Sequence, residues 1–148
     1  MEIRHLLVPT DFSAASTQAF AYAVGVARAC GATLTLLHVV ELPSYVTDGH
    51  APAHQSAALR DELRASAQRE LARLLPDGSG APVDIVRRVV VGVPHQQILE
   101  TAAAERVDWI VMATHGRTGL SHLVMGSVAE RVLRTAPCPV LTLRAAAA

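Results

Sequence analysis

The chain is predicted to fold as an open parallel α/β sheet of five strands with helices on both faces. Two observations carry that expectation. Short apolar segments alternate along the chain with longer segments of helical period, joined mostly by short connections; this alternation means right-handed βαβ units. Hydrophobic residues make up 51% of the 148, yet only 3% are aromatic. The core must therefore be built from Val, Leu, Ile and Ala, which suit a sheet covered closely on both faces. The length fits one domain over residues 1–148, a size that buries roughly 70% of its unfolded surface. The closing Ala145-Ala146-Ala147-Ala148 is expected to fray.

Residues 3–8 are short and apolar and are closed by Pro9, so they read as a buried strand. Ser13 opens a helix to about Cys30, with Phe20, Val24 and Ala27 on one face and Gly31 as its stop. Residues 33–40 are a second strand. Residues 41–53 contain Pro43, Asp48-Gly49 and Pro52 and read as a long surface loop. Residues 54–75 form a second helix with Leu59, Leu63, Ala67, Leu71 and Leu74 on one face; its Arg and Glu residues look like a solvated surface. A turn over 76–82 leads to a third strand, 83–91, whose central Arg87-Arg88 suggests a sheet edge. Pro94 fits the first turn of a third helix to about Arg106, where no backbone donor is needed. Residues 109–113 are a fourth strand, 127 to about 134 a fourth helix, and 140–143 a fifth strand. Trp109 reads as a packing residue.

Composition removes several classes of function. Thirteen basic and thirteen acidic residues cancel, so the basic surplus that drives nucleic-acid binding is missing. Cys30 and Cys138 are far apart without metal-site spacing and read as buried or inert thiols in a reducing compartment. The N-terminus lacks a charged-then-apolar leader, and no apolar run approaches the roughly 20 residues that span a bilayer. Cytoplasmic placement without membrane attachment is expected.

In doubly wound sheets ligands collect beyond the carboxyl ends of the strands. There the first strand delivers Pro9-Thr10-Asp11, the second His38-Val39, and the fourth Ala113-Thr114-His115-Gly116. Glycines at 116, 119 and 126 let backbone approach a ligand, and no acidic residue occurs between Trp109 and Ala129. A helix N-terminus behind such a loop favours an anion. Ser127-Val128-Ala129-Glu130 equally fits a capping box that would consume the same donors. Spacing alone leaves both readings open. Neither a P-loop nor a GxGxxG fingerprint is present. His38, His115 and His122 lack metal-ligand spacing and read as solvated or core histidines. Asp11 reads equally as a ligand contact or as a bond to its own turn.

From end to end the chain resembles the universal stress protein family. The likeness rests on Pro9-Thr10-Asp11-Phe12-Ser13, Leu36-Leu37-His38-Val39, Gly92-Val93-Pro94, the stretch from Thr114 to Leu120, Gly126-Ser127-Val128-Ala129-Glu130 and Pro137-Cys138-Pro139-Val140-Leu141. The family's ATP-binding branch carries glycine, two residues, glycine, nine residues, then glycine with Ser or Thr. Gly116 and Gly126-Ser127 match that pattern, and Ala113 replaces its first glycine.

The resemblance implies an adenine-nucleotide alpha-hydrolase-like sheet of order 3-2-1-4-5. It implies ATP, with Mg2+ or Mn2+ held mainly by phosphates and water. Asp11 would bond the ribose, with Pro9 and Thr10 shaping the wall. The backbone of Val39 would read adenine, and Met112-Ala113 would pass beneath the nucleotide. The amides of Gly116, Arg117, Ser127 and Val128, beside Gly126, would hold the phosphates. A homodimer through the strand at 140–143 is also implied. The expected function is an ATP-dependent stress-response or signalling module with at most slow ATP hydrolysis. The alternatives are a nucleotide-free dimerisation protein of the same fold and, third, a nucleotide hydrolase or adenylating enzyme.

Overall fold

A computed structural model describes residues 2–76, 82–115 and 125–144. The elements in order are β1 (His5–Pro9), α1 (Ala14–Cys30), β2 (Thr33–Val40), α2 (Ser44–Thr47), α3 (Ala53–Arg73), β3 (Ile85–Val91), α4 (Pro94–Ala104), β4 (Trp109–Ala113), α5 (Ser127–Thr135) and β5 (Val140–Leu143). The five strands form one sheet of order β3-β2-β1-β4-β5. Every pairing is parallel, with Leu6 opposite Leu34 and Trp109, Leu34 opposite Ile85, and Ile110 opposite Val140.

Strand periodicity explains why both faces are covered. Leu6, Val8, Leu34, Leu36 and Val111 point to one side, into a cluster with Phe20, Val24 and Ala27 of α1 and Leu71 of α3. Leu7, Leu37, Ile110 and Met112 point to the other, against Ile98 and Ala102 of α4 and Ala129 and Val132 of α5. Alternate residues of each strand thus feed two cores.

The strand and helix ends refine the expectations. β1 begins at His5 rather than residue 3, because the Asp108 carboxylate Oδ2 accepts from the backbone N–H groups of Arg4 and His5, at 2.8 and 2.9 Å. Those two bonds hold the Asp108 carboxyl below its ordinary range. α1 is capped by Ser13, whose Oγ accepts from Ser16 N–H at 3.2 Å, and is stopped by Gly31 at φ 68°. The loop expected over 41–53 contains the single-turn α2. α3 ends at Arg73, where Arg87 donates from Nε to the Leu71 carbonyl and from Nη2 to the Leu74 carbonyl, at 3.0 and 2.8 Å. Of its expected apolar face only Ala67 and Leu71 are buried.

β3 is an edge strand, as its arginines suggested. Arg88 Nη2 pairs with Glu105 Oε1 at 2.9 Å, and Glu105 Oε2 accepts from the Thr35 hydroxyl at 2.7 Å. α4 starts with Pro94 and closes through Arg106 at φ 50°, a left-handed position that glycine usually fills. Cys30 is exposed, not buried; Cys138 is half-buried, and burial raises its thiol pKa. The expected tail over 145–148 and the turn residues 77–81 lie outside the described residues.

Candidate functional site

Chain order reverses between β1, whose next strand lies on one side, and β4, which lies on the other. Beyond their carboxyl ends opens a cavity of about 690 Å³, within the roughly 300–1,000 Å³ of small-molecule sites. Pro9, Thr10, Asp11, Val39, Met112, Ala113, Gly126, Ser127 and Val128 all line it. These are the residues that the sequence singled out, apart from Gly116 and Arg117, which with Gly119 and His122 lie outside the described residues.

One wall is the turn from β1 into α1. Thr10 is buried, and its N–H donates to the Leu37 carbonyl at 2.8 Å. Its hydroxyl lies 3.0 Å from Ser16 Oγ and accepts from Phe12 N–H at 3.1 Å. Asp11 Oδ1 accepts from Ser13 N–H at 3.0 Å, so one carboxylate oxygen does bond its own turn. Phe12 stands at φ 64°, a conformation that costs a residue with a Cβ roughly 1–2 kcal/mol.

The opposite wall joins the end of β4 to the start of α5. Thr114 N–H donates to the Leu143 carbonyl at 3.0 Å, and Gly126 N–H donates to the Thr114 carbonyl at 2.8 Å. The capping box does not form. Gly126, extended at φ −62° and ψ 144°, is the N-cap, so Ser127 is already the first helical residue. Glu130 therefore lies one position too far along to fold back, and it pairs instead with Arg134 Nη2 at 3.0 Å. A glycine cap offers no side-chain acceptor, so the first-turn N–H groups, which have no intrahelical partner, lie at the cavity without a capping side chain from Gly126. His115 also lines the cavity; its Nδ1 lies 2.8 Å from Thr114 Oγ1, and its Nε2 is buried without a hydrogen-bond partner among the described residues.

Sequence reasoning missed the third wall. Leu63, Ser66 and Glu70 of α3 line the cavity, as does Glu41 after β2. Leu63 and Ala67 belong to the stripe read as a core face, and the stripe simply continues past the sheet over the crevice. Phe12 and His38 line it as well. The cavity is thus electrically lopsided, with carboxylates at 11, 41 and 70 and helix amides at 127 and 128. Among the described residues no three His, Cys, Asp or Glu side chains are grouped to hold a metal ion, and no helix is long and apolar enough to cross a membrane.

Residues 2–144 match the model of the universal stress protein family. This chain belongs to that family. Universal stress protein MJ0531 of Methanocaldococcus jannaschii is 34% identical over 142 residues, spanning 95% of this chain and 82% of the relative. The solved structure of hypothetical protein MJ0577, from the same organism, superposes with a TM-score of 0.86 at 26% identity, covering 100% of both chains. A universal stress protein solved in complex with cAMP shares the fold at 23% identity, with a TM-score of 0.63 over 97% of this chain and 98% of that one.

Proposed function

We propose that this universal stress protein binds ATP in the crevice at the strand ends and works as a dimeric, nucleotide-dependent stress-response or signalling module with at most slow hydrolysis. The observation that carries the reading is the start of α5 meeting a carboxylate-bearing turn across one cavity, with no side chain of its own N-cap covering the helix amides.

The residues fit the nucleotide. Glycine at 126 leaves room for phosphate oxygens at the first-turn amides of Ser127 and Val128, and a helix N-terminus favours anions. His115 Nε2 is a buried polar atom still without a partner among the described residues, in the same wall. Asp11 takes the ribose hydroxyls, Val39 the adenine edge, and Met112-Ala113 the underside, with Pro9 and Thr10 as the adjoining wall. Gly116 and Arg117 complete the phosphate set by their place in the motif. A helix terminus contributes only about 0.3–1 kcal/mol per charge, rising to ~2 when partly buried, whereas micromolar binding needs about 8 kcal/mol. The remainder falls to the sugar and to the apolar lining of Val39, Leu63, Ile98 and Met112. Mg2+ or Mn2+ would be held by phosphate oxygens and water. The reading assigns no catalytic residue, and turnover is expected below the ~1 s⁻¹ of ordinary enzymes. The dimer is assigned to the β5 edge.

A second reading, a nucleotide-free dimerisation protein, draws on the Ala113 methyl at the cavity floor. Heat-denaturing the purified protein and analysing the supernatant by ion exchange and mass spectrometry separates the two. Near-stoichiometric ATP or ADP supports the first reading. No released nucleotide, together with no calorimetric binding of Mg-ATP and no shift in melting temperature, supports the second.

A further inference from the structure

We propose that His38 is a positioning residue that aims Asp11 at the ligand by gripping the residues on either side of it. The identity of the ligand rests on the ATP reading above, while the grip itself is a property of the chain. His38 lies near the carboxyl end of β2, and its Nδ1 is 2.8 Å from the Thr10 carbonyl oxygen. A carbonyl oxygen only accepts, so Nδ1 carries the hydrogen and donates it. The same ring stacks on Phe12, with centroids 4.3 Å apart and planes at 30°. Asp11 is the residue between these two holds.

The second hold matters because Phe12 stands at φ 64°, which bulky L residues rarely adopt and which persists only where the surroundings impose it. The hydrogen bond from Phe12 N–H to Thr10 Oγ1 and the stack on His38 impose it here. Loss of the imidazole removes one hold from each flank of Asp11 together. The bond from Ser13 N–H to Asp11 Oδ1 lies within the turn and moves with it. His38 and Asp11 both line the cavity, so a released turn redirects the carboxylate within the site.

The test compares wild type, His38→Ala and His38→Asn, the last keeping an N–H near the Nδ1 position without the ring. In the free protein, amide hydrogen exchange at Phe12 and Ser13 should quicken about tenfold or more in His38→Ala and less in His38→Asn. By calorimetry, wild type should prefer Mg-ATP over Mg-2′,3′-dideoxy-ATP by roughly 10- to 100-fold, the scale of hydrogen bonds to a carboxylate. His38→Ala should shrink that preference to within about threefold while dideoxy-ATP affinity changes by less than about threefold; His38→Asn should recover part of it. Unchanged exchange, or an intact preference in His38→Ala, overturns the proposal, as does an equal loss of both nucleotides. If wild type binds neither nucleotide, the ATP reading fails on its own, and the exchange data alone decide whether the grip exists. Should His38→Ala not fold, the same two measurements on His38→Asn against wild type decide the matter.

Discussion

Replacing Ser127 with Asp separates a helix start that merely ends a loop from one that receives phosphate, because stability and binding should move in opposite directions. Ser127 is the first residue of α5 and is exposed, and the N-cap before it supplies no side-chain bond. A carboxylate there faces the positive end of the helix and should stabilise the free protein by about 0.3–1 kcal/mol. At this chain length that corresponds to a melting temperature roughly 1–4 °C higher. The same charge repels a triphosphate at the amides of Ser127 and Val128. Two unit charges about 6 Å apart at an effective dielectric of ~20 repel by ~3 kcal/mol, and solvent at an exposed position roughly halves this. Mg-ATP affinity should therefore fall about 10- to 100-fold, less at higher salt, while adenosine binding stays level. Scanning calorimetry of the free protein and titration calorimetry at two ionic strengths measure both arms. A higher melting temperature with unchanged ATP affinity would refute the phosphate assignment at α5. A lower melting temperature would refute the helix start itself.

Two further outcomes follow from the ends of the elements. The Asp108 carboxyl sits below its ordinary range because it accepts from Arg4 and His5 N–H. Its folded value is depressed, so its contribution is complete above the usual aspartate range and is lost as pH falls through the folded value. Urea unfolding of Asp108→Asn across pH 2–6 should show lower stability at the top of that window and a shallower acid decline than wild type; parallel curves would refute the assignment. Arg106→Gly removes the left-handed strain at φ 50° where α4 closes, and after the entropic cost of glycine should raise stability by roughly 0.5–1 kcal/mol in the same assay. A loss would show that the Arg106 side chain matters more than its backbone.

Most of the sheet was readable because its strands are almost wholly aliphatic and its helices carry long periodic stripes. Arg87 and Arg88 marked the edge because two adjacent charges cannot both enter a covered sheet. Where the reading slipped, a single hydrogen bond or backbone angle decided the outcome. The start of β1 depends on a carboxylate more than 100 residues away, at Asp108. Whether Gly126 or Ser127 caps α5 depends on which of them stays extended, and pattern matching favours the serine hydroxyl. The single turn of α2 has no periodicity to detect. At the cavity, the strand-end residues named from the sequence are among its lining because motif and topology point to the same edge of the sheet. Leu63, Ser66 and Glu70 were missed because an apolar stripe looks the same whether it covers a sheet or a crevice.

The two rims of the sheet are dressed differently. Along β3, Arg87 reaches to the last carbonyls of α3 on one face, and Arg88 reaches to Glu105 at the close of α4 on the other. A foreign chain zipping onto that rim would meet cations already committed on both sides. Along β5 the residues are Val140, Leu141, Thr142 and Leu143, without a charge. In the proposed dimer β5 would pair edge to edge with its copy across a twofold axis, and the guarded β3 rim would keep such a pair from extending into a fibre.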